Sequence, residues 1–198
     1  MEKDGVISNC KVLIIGGSAG SLEVLMKLLP NLRGTLSFAI VFVLHRKNTK
    51  DATLEELIAI KTNISVKEVE DKTSFLPGYI YIAPPDYHLL FEKNNVLSLD
   101  TSEKVNYSRP SIDVSFESVA EVYGSSLIAI LLSGANADGT NGLLAVKKAG
   151  GTTIVQNPDT AQMPFMPQNA ITYVNPDYIL DVDEMLHFIA SINSKNNE

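Results

Sequence analysis

Long apolar runs without charged residues constrain this fold more than any other feature of the sequence. Three of them cover residues 12–15, 36–44 and 127–132, and residues 152–155, TTIV, form a further predicted strand. A strand that is apolar on both faces lies inside a sheet that is covered on both sides, and such sheets are mostly parallel. Stretches with apolar residues at helical spacing separate these runs. The sequence therefore predicts an α/β fold with a doubly wound, mostly parallel sheet in a Rossmann-like three-layer arrangement.

Capping and turn residues predict where other elements begin and end. Ser111 is expected to cap a helix that ends at Gly124, and Asp181 to cap the last helix. A further helix is expected over about residues 51–61. Residues 79–99 differ, because Pro-Pro-Asp and Asn-Asn interrupt short apolar stretches. That pattern predicts a small antiparallel β meander.

Length and composition narrow the class of protein. The 198 residues suit one domain, predicted over residues 1–198 with a core of about 11–192. The formal net charge of −7 disfavours nucleic acid as a partner. No apolar run approaches the roughly 20 residues that span a bilayer, and the N-terminus lacks a signal-peptide pattern. We therefore expect a cytoplasmic protein without direct membrane insertion.

Cysteine and histidine usage argues against a disulfide or a metal site. The single cysteine, Cys10, excludes an intrachain disulfide and a cysteine-based zinc cluster. The three histidines, His45, His88 and His187, are scattered and form no HExxH pattern. His88 and His187 are expected to be structural or solvated. We expect no metal and no cofactor.

The turn after the first apolar run contains the sequence GGSAG, with Ser18 at its centre. Small neighbours allow a serine to occupy a tight strand-to-helix turn, and the N–H groups at the start of a helix favour an oxyanion. The same turn also suits a phosphate-binding loop or a serine that caps the helix. It lacks the G-x-G-x-x-G spacing of a dinucleotide site and the Gly-Lys of a Walker loop. From this turn alone, a catalytic and a non-catalytic serine are equal alternatives.

Two further polar residues follow apolar runs that are predicted to end at the same edge of the sheet. His45 follows residues 36–44, and Asp138 lies in the loop after residues 127–132. Histidine is the common base for a nucleophilic serine, and an aspartate can orient the imidazole. Taken alone, Asp138 is better explained as a helix cap. With Ser18 they predict a Ser–His–Asp hydrolase whose chain order differs from that of the α/β-hydrolases.

Six stretches of the sequence resemble the catalytic domain of the CheB family of chemotaxis protein-glutamate methylesterases, between about residues 11 and 188. They are IIGGSAGS (14–21), VLHR (43–46), PGYIYIAPPDYHL (77–89), RPSIDVSFESVA (109–120), LLSGANADGTNGL (131–143) and GGTTIVQNPDTAQMPFMPQNAI (150–171). The resemblance implies a serine hydrolase that removes methyl esters from glutamyl residues of chemotaxis receptors and deamidates glutamines there. Its partner would be the cytoplasmic domain of a methyl-accepting receptor.

The resemblance also implies roles for single residues. Ser18 matches the nucleophile, His45 the general base and Asp138 the acid that orients the histidine. Ala19 and Ala135 match positions in the active-site turn and near the oxyanion site. The family member best known in chemotaxis carries an N-terminal receiver domain, for which this chain has no room. Regulation by a separate protein, or an excised or separately encoded domain, is therefore expected.

Several positions depart from the family pattern. Ser21 and Asn136 stand where glycine is usual, and at Asn136 the resemblance suggests a positive φ, which asparagine tolerates. Arg46 and Lys47 follow the histidine where Met-Pro is frequent. With Arg109, these cations are candidates to contact an acidic receptor helix, although an ordinary solvated face is the better explanation of Arg109 and the lysine. A signalling scaffold of the same fold, or an esterase in another pathway, stays open as an alternative.

Overall fold

The computed structural model describes residues 9–32, 35–46 and 54–195. Its strands are β1 (Val12–Gly17), β2 (Ala39–Leu44), β3 (Ser65–Glu68), β4 (Thr73–Ser74), β5 (Tyr79–Ile82), β6 (His88–Glu92), β7 (Val96–Asp100), β8 (Leu127–Leu131), β9 (Thr152–Gln156) and β10 (Tyr178–Leu180). Its α-helices are α1 (Ser21–Leu28), α2 (Leu54–Ala59), α3 (Ile112–Tyr123), α4 (Thr140–Lys148), α5 (Phe165–Val174) and α6 (Val182–Lys195).

Within the described residues, seven strands form one parallel sheet in the order β10-β9-β8-β1-β2-β5-β3. The chain moves from β1 to β2 on one side and later returns through β8 on the other, so the strand order reverses between β1 and β8. Doubly wound folds bind ligands at the carboxyl ends of the strands beside such a reversal. The topology confirms the predicted fold class.

Both faces of the central strands of this sheet are buried, because their residues alternate between two cores. Leu13 and Ile15 belong to the core beneath α1, α2 and α6. Val12 and Ile14 belong to the core beneath α3, α4 and α5. Burying an aliphatic side chain of this size stabilises the fold by roughly 1.5–3 kcal/mol. The two cores hold β1 rigidly, and the loop after β1 carries Ser18.

The predicted antiparallel unit is confirmed, with different boundaries. Within the described residues, β4, β7 and β6 form a small antiparallel sheet that packs in the core containing α3. β5 instead joins the parallel sheet between β2 and β3. Its side chains Ile80, Tyr81 and Ile82 are all fully buried, as expected for a strand covered on both faces. The meander is therefore narrower than residues 79–99.

The helix ends follow the predicted capping residues. Ser111 Oγ accepts a long hydrogen bond of 3.4 Å from the N–H of Val114, and Gly124 ends the same helix with a φ of 49°. Asp181 and Glu184 form a reciprocal capping box, with bonds of 2.8 and 2.9 Å.

Two expectations concern residues that the structure describes only in part. The helix predicted over residues 51–61 is Leu54–Ala59, and residues 51–53 lie outside the described part. The prediction that residues 1–198 form one domain stays a prediction. In the described ranges, none of the helices has the length and apolar character needed to cross a membrane.

Candidate active site

Ser18 occupies the turn between β1 and α1, at the point where the strand order reverses. Its N–H donates to the carbonyl of Ser133, in the loop after β8, at 2.9 Å. Gly20 precedes the helix with a φ of 86°, a conformation that glycine adopts without strain. The departure at Ser21 supports the turn, because its hydroxyl donates to the carbonyl of Ser18 at 2.5 Å. These bonds fix the serine backbone between two neighbouring loops.

A glycine in the facing loop leaves room for the Ser18 side chain. A Cβ atom at Gly134 would lie 3.1 Å from Ser18 Cβ and would clash with the side chain of Met166. Met166 is fully buried, and its N–H donates to the carbonyl of Gly134 at 2.9 Å. The turn at Ser18 therefore depends on the small residue across from it as well as on its own glycines.

His45 follows β2 and is adjacent to Ser18 across the strand pair. β1 and β2 pair through Gly17 and Leu44, and the N–H of His45 donates to the carbonyl of Gly17 at 3.1 Å. The imidazole Nε2 lies 2.7 Å from Asp138 Oδ2. Because a carboxylate only accepts hydrogen bonds, Nε2 carries the proton and Nδ1 is left with a free lone pair.

The free Nδ1 atom faces the cavity side of the site. Ser108 Oγ lies 3.4 Å from it, a long contact. Among the described residues, the Ser18 hydroxyl makes no hydrogen bond with the imidazole. Catalytic hydrogen bonds are often loose before substrate binds and tighten in the complex. The geometry thus presents Nδ1, rather than Nε2, as the atom available to accept a proton.

Asp138 is fully buried and accepts five hydrogen bonds. Its donors, at 2.7–3.1 Å, are His45 Nε2, Ser111 Oγ, Asn106 Nδ2 and the backbone N–H groups of Ile112 and Asp113. Burial acts to raise the pKa of Asp138, but the hydrogen bonds from His45 and from the start of α3 outweigh it and hold the pKa below its ordinary value. The carboxylate therefore stays ionised beside His45.

Asp113, in the first turn of α3, is the counterpart of Asp138. Its Oδ1 accepts from the N–H groups of Gly139 and Gly142, at 2.8 and 2.7 Å, at the start of α4. Asp138 in turn accepts from the start of α3. Burial raises the pKa of Asp113 to about 6, and the charge of Asp138 adds to the increase against the lowering effect of these N–H donors. The start of α3 is thus capped by Asp138, which precedes α4, and the start of α4 is capped by Asp113 of α3.

The N–H groups expected at the oxyanion site are free to bind. Neither Ala19 nor Ala135 donates its N–H to an acceptor in the part of the chain that the structure describes, and both residues are exposed. Ala19 also lies next to the N-terminus of α1, where unpaired N–H groups create a partial positive charge. An oxygen that gains negative charge beside Ser18 would find donors there.

A cavity of about 550 Å³ opens beside His45. It is lined by Arg46, Asp86, Lys104, Tyr107, Ser108 and Arg109. Arg46 pairs with Glu68, and Arg109 donates to the carbonyls of Thr101 and Ser102 at 2.7 and 2.8 Å. Both arginines therefore have partners within the chain besides facing the cavity. Lys47, the third predicted cation, lies outside the described residues.

The other two histidines are separate from the cavity. His88 is fully buried, accepts from the N–H of Ser111 at 3.2 Å and lies 3.0 Å from the carbonyl of Glu103 through Nε2. His187 is exposed on α6. Within residues 9–32, 35–46 and 54–195, no three His, Cys, Asp or Glu side chains are grouped as metal ligands would be.

One backbone expectation was wrong. Asn136 does not have the positive φ that the glycine in related sequences suggested. Its side chain instead accepts from the N–H of Asp138 at 3.2 Å, which forms a local turn. The substitution thus adds a hydrogen bond next to Asp138.

Sequence reasoning missed Asn106 and Asp113 as parts of the site. Asn106 Nδ2 donates to Asp113 Oδ2 at 2.9 Å and to Asp138 Oδ1 at 3.1 Å. An acid in the first helical turn is commonly explained by the dipole of its own helix, so Asp113 gave no distinct signal. Asn106 lies in a polar stretch, where asparagine is an ordinary turn residue.

Comparisons with known proteins agree with this fold. A profile of the CheB methylesterase family matches residues 13–189. A relative from Leptospira interrogans is 39% identical over 190 residues, which cover 96% of this chain and 98% of the relative. A protein-glutamate methylesterase/protein-glutamine glutaminase of Thermotoga maritima is 36% identical over 173 residues, and the match covers 86% of this chain but 50% of that protein.

A solved structure is also similar. The crystal structure of the Thermotoga maritima CheB methylesterase catalytic domain superimposes with a TM-score of 0.86 at 34% sequence identity. The match covers 92% of this chain and 97% of that one.

Proposed function

Because this chain belongs to the CheB methylesterase family, we propose that it hydrolyses glutamyl methyl esters on chemotaxis receptors through Ser18, His45 and Asp138. The observation that carries the proposal is the 2.7 Å contact between His45 and the buried Asp138, next to the turn that presents Ser18. That contact leaves a basic nitrogen on the same side as the cavity.

The proposed reaction begins when Ser18 Oγ attacks the ester carbonyl while His45 Nδ1 takes its proton. The N–H groups of Ala19 and Ala135 would stabilise the negative oxygen of the tetrahedral intermediate. The imidazolium then protonates the departing methoxide, and methanol leaves. Water attacks the acyl-enzyme with His45 again as base, which restores Ser18 and a free glutamate.

The same acyl chemistry would deamidate glutamine. In that reaction ammonia replaces methanol as the leaving group, and the acyl-enzyme is the same. Asp138 would stabilise the imidazolium in both reactions, because its hydrogen bonds keep it ionised.

The receptor substrate would contact the protein through the cavity beside His45. A methyl ester is small and supplies little binding energy, so recognition needs surface around the reacting group. Tyr107 is 98% exposed at the tip of the 105–108 turn and lines this cavity with Lys104. We propose these two residues, with Arg46 and Arg109, as the receptor-facing surface. Regulation by a separate protein stays a prediction.

Methanol release from a methylated receptor cytoplasmic fragment tests the proposal. The wild type should release methanol, and Ser18→Ala should not. Ser125→Ala is the matched control, because Ser125 is exposed and precedes β8, at the opposite edge of the sheet from Ser18. Equal methanol release by the wild type and by Ser18→Ala would show that Ser18 is not the nucleophile. No release by folded wild type across several receptors would favour a signalling scaffold.

A further inference from the structure

Two buried carboxylates meet between the first turns of α3 and α4. Asp138 accepts from the N–H groups of Ile112 and Asp113, and Asp113 accepts from those of Gly139 and Gly142. Asp113 is 3% exposed and Asp138 is fully buried. Every hydrogen bond that either side-chain carboxyl group makes comes from a donor, which suits two carboxylates and no shared proton.

Two neighbouring carboxylates repel each other, and a hydrogen-bond donor between them offsets part of that repulsion. Asn106 supplies that donor, because its single Nδ2 atom bonds to both carboxylates. Its backbone has a φ of 49°, a conformation in which asparagine is more common than other side chains. Asn106 is an exposed residue, and its Nδ2 atom is nevertheless bonded to both buried acids.

The turn that carries Asn106 also contacts the histidine. Val105 and Ser108 exchange backbone hydrogen bonds of 3.2 and 2.9 Å, which close the turn. Ser108 Oγ lies 3.4 Å from His45 Nδ1. One short turn therefore touches the acid pair at one residue and the base two residues later.

Building on the proposed function, we propose that Asn106 and Asp113 are positioning residues for His45. Asn106 holds the two carboxylates side by side, so that Asp138 keeps its orientation toward the imidazole. The negative charge of Asp113 adds to that of Asp138 and stabilises the imidazolium that forms when Ser18 loses its proton.

The cations around the imidazole explain why a second carboxylate, that of Asp113, would help to stabilise the imidazolium. Arg46, Lys104 and Arg109 line the cavity beside His45, and cations there oppose a positive imidazole. Asp86 is the only acidic residue that lines this cavity within the described residues. Asp138, in the loop before α4, contacts Nε2 of the ring, and Asp113, on α3, lies behind Asp138 in the same hydrogen-bond network, so both negative charges offset the cations.

The pKa of Asp113 lies within the pH range in which a histidine base titrates. Burial and the charge of Asp138 raise its pKa to about 6, so it is ionised at neutral pH and loses its charge below that value. Asp113 therefore supports the imidazolium at the pH where a histidine base is used, and not in acid.

Kinetics of three variants test the proposal on the receptor fragment. Asp113→Asn removes the charge but keeps an oxygen for Gly139 and Gly142, and Asn106→Gly removes the amide but keeps the positive φ. Both should lower kcat by about tenfold with KM within about twofold. Asp113→Asn should also move the acid limb of the kcat/KM profile to lower pH by about 0.5 units.

Glu117→Gln is the matched control, because Glu117 lies one turn further along α3 and is exposed. It should follow the wild type at every pH. Circular dichroism shows whether Asp113→Asn and Asn106→Gly are folded. If the kinetic pH profile of either folded variant also superimposes on that of the wild type, the proposal is wrong. If Asp113→Asn does not fold, Asn106→Gly decides.

Carboxyl ¹³C NMR of the wild type tests the acid pair without any substrate. Asp113 should titrate near pH 6, its signal and that of Asp138 should each respond when the other titrates, and Asn106→Gly should raise the Asp113 midpoint. Independent titrations would overturn the proposal. If the wild type releases no methanol, the proposed function fails, and this NMR result alone decides the inference.

Discussion

Asp138 and Asp113 lie in matching positions, but their pKa values are shifted in opposite directions. Each is almost completely buried, and each accepts backbone N–H bonds from the first turn of a neighbouring helix. The pKa of Asp138 is lowered and that of Asp113 is raised to about 6. Burial acts to raise both pKa values, so burial alone does not explain the difference.

The partners of the two acids explain it. Asp138 has His45 and five donors in all, whereas Asp113 has three donors and faces the charge of Asp138. A carboxylate next to a group that becomes cationic is stabilised, and its like-charged neighbour is destabilised. The comparison assigns the direct contact with the base to Asp138 and a supporting charge to Asp113.

Asp138→Asn should have the largest effect on activity. The amide NH₂ would donate to His45 Nε2 and place the imidazole proton on Nδ1, which is the atom proposed to act as base. We expect kcat to fall by about 10³–10⁴, as for the loss of the acid in other triads. Methanol release with Asp183→Asn, an exposed acid of α6, as control checks this. A loss below tenfold would make the two acids equivalent and would break the comparison.

The unfolding free energy of Asp113→Asn should increase relative to that of the wild type as the pH rises. An unfolded aspartate ionises near pH 4, but folded Asp113 does so near pH 6, so the wild type loses stability between these values. From pH 4 to pH 8 the variant should gain on the order of 2 kcal/mol relative to wild type. Urea unfolding at both values measures it, with Glu117→Gln as control. A variant that loses relative stability over this interval would contradict the raised pKa.

Ser111→Ala should remove a hydrogen bond from Asp138 Oδ1, the carboxylate oxygen that does not contact His45. The hydroxyl donates to Asp138 at 2.9 Å and accepts from Val114 at 3.4 Å as the helix cap. We expect a loss of about 1 kcal/mol in unfolding free energy and a severalfold decrease in kcat. Denaturant melts and initial rates check both. An effect on stability without one on kcat would mean that the remaining four donors suffice for Asp138.

Tyr107→Ser should have the smallest effect and should separate substrate contact from positioning. Tyr107 lies next to Asn106 but is 98% exposed, whereas Asp113 and Asp138 are buried. We expect a two- to fivefold increase in KM with kcat unchanged, because a surface contact is lost and the acid pair stays intact. Steady-state kinetics on the receptor fragment measure this. A decrease in kcat would show that the whole turn, rather than the Asn106 amide, holds the acids.

The order of the elements could be predicted because local patterns specify it. Apolar runs predict the three central parallel strands β1, β2 and β8, and the single capping residues Ser111 and Asp181 predict two helix starts. Chain order and the predicted strand ends also place Ser18, His45 and Asp138 at one edge of the sheet. The sequence pattern places β5 in the meander instead, because Tyr79–Ile82 is short and is followed by Ala-Pro-Pro.

The crossed capping of α3 and α4 could not be predicted. It depends on the first turns of two helices meeting in space, through bonds between residues 25 to 29 positions apart along the chain. No sequence spacing indicates that Asp113 serves a helix other than its own. The side chain that bridges the acids, Asn106, gave the same signal as any turn asparagine. The orientation of the His45 ring likewise follows from packing and not from a motif.

Labelling with a fluorophosphonate tests the central claim most directly, because the reagent bonds only to an activated serine and requires no receptor. The protein is incubated with the reagent, digested and mapped by mass spectrometry. The account predicts one adduct, on Ser18, absent from His45→Gln and Asp138→Asn and formed more slowly in Asp113→Asn. An adduct on another serine, or on Ser18 at an undiminished rate in His45→Gln, would contradict it.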